Sequence, residues 1–110
     1  MTLTEKLSLD LIHALRPVVA ALRQRRHAAL ADQVERAGTS VALNIAEAGG
    51  RAGRDSVRVL RIAAGECREV RAALAVIAAW GYAGAAELAN ADMRANRLGG
   101  VLYGLVRKLA

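Results

Sequence analysis

LADQVERAGTSVALNIAEAGG, residues Leu30 to Gly50, is the stretch on which the reading of the fold turns. Leu30, Val34, Ala37, Val41, Asn44 and Ala48 recur at alternating spacings of four and three, the heptad seam of a helix packed against neighbours. Gln33, Ser40 and Glu47 follow one edge of that seam, so a polar ridge borders the apolar face. Asn44 falls in the seam itself. Gly49, Gly50 and Gly53 stop the helix, and Asp55 or Ser56 is placed to cap the next one.

Helical periodicity continues on both sides. Thr2 and Glu5 have the spacing of a capping box, and Leu7, Leu11, Ala14, Leu15, Val18 and Leu22 predict a first helix over about residues 3 to 24. Pro17 predicts a kink or break near Arg16, because its ring removes an amide donor and collides with the preceding turn. RQRRH, Arg23 to His27, contains neither Gly nor Pro, and only its charge density marks a turn.

A third helix over about residues 55 to 80 carries two neighbouring seams. One holds Leu60, Ala63, Cys67, Val70, Leu74 and Ile77; the other holds Val59, Ile62, Glu66, Glu69, Ala73, Val76 and Trp80. Glu66 is expected well inside the apolar arc and Glu69 at its edge, with Arg54, Arg58, Arg61 and Arg68 on the opposite face. GYAG, Gly81 to Gly84, makes the last turn. Leu88, Ala91, Ala95, Leu98, Leu102, Leu105 and Leu109 form the most regular heptad, interrupted by Gly99 and Gly100, which suits a closely approaching neighbour helix. Short connections make successive helices antiparallel, so the expected fold is all-α, an antiparallel up-and-down four-helix bundle forming one domain over residues 1–110.

Composition agrees. Of 110 residues 55% are hydrophobic but only 3% aromatic, with no Phe, so Leu, Val, Ile and Ala must fill the core. The longest uncharged run, Ala72 to Ala86, is shorter than the roughly 18 apolar residues of a membrane span, and the N-terminus lacks a signal-peptide pattern. No membrane association and a cytoplasmic location are expected. Cys67 has no partner for a disulfide and reads as a small buried hydrophobe. The net charge of +6 is almost wholly arginine, since Lys6 and Lys108 are the only lysines.

With the helices placed, Leu30 to Arg51 followed by RVLRIAAGECREVRAALAVIAAWGY, Arg58 to Tyr82, resembles the four-helix bundle family of proteins encoded in intervening sequences of bacterial 23S rRNA genes, also called S23-like proteins. Asn44, Ile45, Ala46 and Glu47 match its N-I-A-E core; Arg61, Ile62, Ala63 and Gly65 match its R-I-A-x-G segment; Glu69 falls at a recurrent glutamate. Ala42, Ala48 and Glu66 depart from its usual proline, glycine and serine. The resemblance implies a cyclic homo-oligomer, commonly a pentamer. It also implies kinship with the accessory variability proteins of diversity-generating retroelements, which associate with reverse transcriptase and nucleic acid.

Asn44, Glu47 and Glu69 read as a structural polar network that fixes helix register, in preference to a ligand site or a catalytic acid pair, since no nucleophile or metal cluster accompanies them. His13 and His27 are isolated, no cofactor is expected, and the glycines of AGGRAGRDS follow a helix and lack the GK[ST] of a phosphate loop. The arginines carry the positive functional case. Arg23, Arg25 and Arg26 cluster at the first turn; Arg51, Arg54, Arg58, Arg61 and Arg68 run from the second turn along the third helix. They predict contact with RNA or DNA backbone and no catalytic activity, although stacking aromatics are scarce. The competing expectation is a scaffold that recruits an acidic protein partner, because arginine pairs bidentately with carboxylates as well as with phosphates.

Overall fold

A computed structural model describes all residues from 1 to 110. Helices α1 (Leu3–Gln24), α2 (Ala28–Gly49), α3 (Gly53–Trp80) and α4 (Ala85–Leu109) follow one another with no strand between them. α1 packs beside α2 and α4, α3 packs beside the same two, and α1 faces α3, as α2 faces α4, across the diagonal of the bundle. This is the antiparallel four-helix bundle that the heptads predict. One core cluster of 26 buried residues runs through it, with Leu11, Val18, Leu22, Val34, Val41, Val70, Ile77, Leu98 and Leu102 fully enclosed. Cys67, 1% exposed, is part of that core, and burial pushes its thiol up to about 12.

Local chemistry sets the ends of the helices. Thr2 caps α1 through the Glu5 amide, and the Glu5 carboxylate accepts in return from the Thr2 amide and hydroxyl. α1 ends in a Schellman arrangement: the His27 amide donates to the Leu22 carbonyl at 2.8 Å and the Arg26 amide to the Arg23 carbonyl at 3.1 Å. Arg26 takes the left-handed position at φ 62° that glycine usually occupies, so the turn carries no glycine signal. Gly81, at φ 72°, has the corresponding place after α3.

Four expectations need correction. α1 is one continuous helix through Pro17, so of the expected kink or break the break is absent: the proline and His13, whose carbonyl loses its helical donor, are both exposed, and buried Ala14, Leu15, Val18 and Val19 anchor the flanking turns. α3 starts at Gly53 with Ala52 as N-cap, so neither Asp55 nor Ser56 caps it; the Ser56 hydroxyl donates instead to the Ala48 carbonyl at the end of α2. Ile45, not Asn44, enters the core beside Val41 and Ala48, leaving Asn44 half-buried. The second seam of α3 is only partly packed, because α1 lies across the diagonal: Glu66 is half-buried, and Glu69, Ile62, Val76 and Trp80 are exposed.

The expected close approach at Gly99 and Gly100 is also absent. A Cβ on Gly100 would have nothing within 4 Å, and one on Gly99 would meet the Cys67 Cβ at an ordinary 3.8 Å. The tight crossing is instead at Gly38, where an added Cβ would lie 2.9 Å from the Leu15 Cδ1.

Candidate nucleic-acid interface

The residues expected to form a polar network do not meet. The Asn44 amide donates to the Ser40 carbonyl at 2.9 Å and lies 3.1 Å from the Ser40 hydroxyl, one turn back on its own helix. Glu47 accepts from Arg51 at the end of the same helix, with Nε at 3.1 Å. Glu69 bonds to neither. The persistence of Asn44 and Glu47 therefore has a local cause: each is satisfied one turn away along its own stretch of chain, at a half-buried or exposed position where desolvation costs little, and Glu69 is simply exposed on α3.

The eight arginines separate into two ends and two conditions. Arg25 donates to the Gly81 carbonyl at 2.7 Å, which places the α1–α2 and α3–α4 turns at one end of the bundle. Arg23 is held by Asp32 and Glu35, each at 3.0 Å, and those carboxylates keep its guanidinium proton more firmly bound than usual, the Asp32 hydrogen bond most of all. Beside them a stack forms that composition had not suggested. The His27 and Tyr82 rings lie 3.7 Å apart between centroids, and the Trp80 ring lies nearly parallel to Tyr82 at 5.9 Å. The scarcity of aromatics is thus offset by their concentration; the G-Y turn and the histidine of RQRRH were the only sequence signals.

At the opposite end Arg51 bridges Glu47 and Asp55. Arg54, Arg58, Arg61 and Arg68 then continue along α3, all exposed and none in an ion pair. Their spacings of four, three and seven keep them on one helix face. That face borders α4. Between the two helices lies a cleft of about 560 Å³ bounded by Arg61, Arg68, Arg71, Tyr103 and Arg107, and it adjoins a second cleft at Arg54, Arg58 and Arg61. Arg71, Tyr103 and Arg107 were not among the residues singled out from sequence. Arg71 crosses to α4, bonding Asp92 and Asn96, and the Arg107 guanidinium sits 5.8 Å from the Tyr103 ring centroid. Neither Glu47 nor Glu69 lines either cleft.

Four antiparallel helices around a single apolar core, with unpaired arginines concentrated on one of them, define a basic four-helix-bundle protein. The chain belongs to the family of 23S rRNA-intervening sequence proteins, whose model matches residues 4–104. Among solved structures it is similar to a protein of unknown function from the S23 ribosomal protein family of Bacteroides thetaiotaomicron, with a TM-score of 0.86 and 20% identity, over 94% of this chain and 98% of that one. That likeness is one of fold. No curated protein matches the chain.

Proposed function

We propose that the protein is a non-enzymatic, oligomeric bundle that binds the backbone of RNA or DNA through its arginine-rich surface, acting in the cytoplasm as accessory to a reverse transcriptase or another nucleic-acid enzyme. The observation that carries this reading is the row of Arg54, Arg58, Arg61 and Arg68, exposed on one face of α3 with no carboxylate paired to any of them. Surface arginines left unpaired are free to neutralise phosphates, and the counterions released make such binding steeply salt-dependent.

The exposed seam on α3 supports assembly into a homo-oligomer. Ile62, Val76 and Trp80 project outward from one side of the helix, and Leu43 of the neighbouring α2 is exposed as well. A cyclic pentamer is the form the family resemblance implies, and a second copy laid on this seam would remove it from water.

Titration of labelled RNA and DNA at several salt concentrations tests the main reading: affinity should fall steeply with salt and depend little on sequence. Absence of binding at low salt by folded protein discards it. A second reading, a scaffold for an acidic protein partner, is favoured by the way Arg23 and Arg71 already hold carboxylates here. Recovery of a co-purifying acidic protein after nuclease treatment, from a chain that fails to bind nucleic acid, would establish that reading instead.

A further inference from the structure

We propose that the cleft between α3 and α4 holds a single strand of nucleic acid, its phosphates on the arginines and an unpaired base against Tyr103. The inference rests on the nucleic-acid reading above and specifies its substrate.

Charge comes first. The two adjoining clefts share Arg61 and together present Arg54, Arg58, Arg61, Arg68 and Arg107, none of them in an ion pair, with no Asp or Glu side chain in either lining; Arg71, at the far edge, is already paired with Asp92. Elsewhere acids and arginines are mixed: the cleft between α1 and α2 sets Glu35 beside Arg16 and Arg23. A concave surface walled by one sign of charge concentrates the opposite sign within it.

The floor supplies a second, independent reason. Gly65 lies in the middle of α3 and Gly100 in α4, positions where glycine disfavours a helix, and a Cβ at either would find nothing within 4 Å. Packing within the chain therefore does not account for the missing side chains. Their effect is to keep the cleft open down to the helix backbones, which lets a polymer backbone approach closely.

Shape favours a single strand. A groove between packed helices whose axes lie roughly 8–10 Å apart does not admit a duplex, whose major groove alone is about 12 Å wide. Tyr103 is 63% exposed in the cleft, with Arg107 over its ring. An aromatic in that position stacks on a base only if the base is unpaired. From Arg54 to Arg71 the helix rises about 26 Å, which matches about eight nucleotides at the roughly 3.4 Å rise of a stacked strand and fewer in an extended one.

The test uses fluorescence anisotropy with oligo-U and oligo-dT of about eight nucleotides and a duplex of the same length. Wild type should bind the single strands about tenfold or more tighter than the duplex, and the U and dT arms show whether ribose is preferred. Gly65→Leu and Gly100→Leu fill the floor without changing net charge, and should weaken single-strand binding about tenfold while circular dichroism shows an intact, equally or more thermostable bundle. Tyr103→Leu should cost about tenfold through lost stacking. Equal binding of duplex and single strand, or glycine variants that bind like wild type, would overturn the cleft while leaving arginine-mediated binding in place. Displacement of the oligonucleotide by polyglutamate as readily as by an equally charged strand would overturn it in favour of an acidic peptide. Failure of every nucleic acid to bind at low salt would remove both readings.

Discussion

The His27 ring lies on the Tyr82 ring, centroids 3.7 Å apart and planes 16° from parallel, and so clips the α1–α2 turn to the α3–α4 turn. The Arg25 hydrogen bond to the Gly81 carbonyl reinforces the same junction. In a double-mutant cycle, His27→Ala and Tyr82→Ala should therefore show a coupling of about 0.5–1.5 kcal/mol in urea denaturation. Additive effects would mean that the stack contributes nothing beyond the burial of each ring.

The glycines give predictions of opposite sign. Gly65→Ala and Gly100→Ala enter open space, so each should raise stability by about 0.5–1 kcal/mol. Gly38→Ala gains the same propensity but drives a Cβ to 2.9 Å from Leu15, a core residue, and overpacking of about 1–3 kcal/mol should cancel or reverse the gain. Arg26→Gly relieves a left-handed side-chain position and should stabilise by about 1 kcal/mol. Midpoint shifts at constant m-value would check all four variants.

Cys67 reports on opening of the bundle. Because burial raises its pKa from 9.0 to about 12, the neutral thiol is the favoured folded form. Its contribution to stability is complete below the unfolded pKa and is lost as pH rises from about 9 towards 12, where the unfolded chain releases a proton that the native one retains. Denaturation midpoints should decline across that window in wild type and decline less in Cys67→Ala. At pH 8 the folded protein should resist thiol reagents, with modification appearing only as denaturant opens the core.

The unfilled seam on α3 leads to an assembly prediction. Ile62→Glu with Val76→Glu changes exposed positions, so helix content should be retained while light scattering shows a loss of mass from oligomer towards monomer. An unchanged mass would place the interface elsewhere. Asn44→Leu is the complementary variant: its amide bonds only within α2, so a change in assembled mass would give it a register role across subunits that its contacts within the chain do not reveal.

Much of this architecture was legible in the sequence because periodicity is a local property. The α4 heptad places Leu88, Ala91, Ala95, Leu98 and Leu102 in the core as read, but its last two members leave it, Leu105 half-buried and Leu109 exposed at the end of the helix. The α2 seam misplaced one residue, since a straight helix of 3.6 residues per turn drifts from a strict heptad and turns Ile45 inward where Asn44 was expected. The end of α1 was obscure because Arg26 does the work of a glycine. The cleft was not legible at all. Gly99 and Gly100 look the same in sequence whether a helix or empty space lies beside them, and Arg71 and Arg107 come to line one cleft only when α3 and α4 are laid side by side. Ion pairing, which separates Arg23 and Arg51 from Arg58 and Arg61, likewise depends on neighbours distant in the chain or on rotamers.

The salt dependence of binding, compared between two arginine pairs, tests the central claim most directly. Arg58→Gln with Arg61→Gln removes two unpaired cleft charges, whereas Arg36→Gln with Arg97→Gln removes two exposed charges outside both clefts and lowers net charge equally. For a single strand each lost phosphate contact flattens the slope of log affinity against log salt by about 0.7, so the cleft pair should flatten it by about 1.4 and the control pair should leave it nearly unchanged. Equal slopes for the two double variants would contradict an interface on α3 and reduce the binding to general attraction between a basic protein and a polyanion.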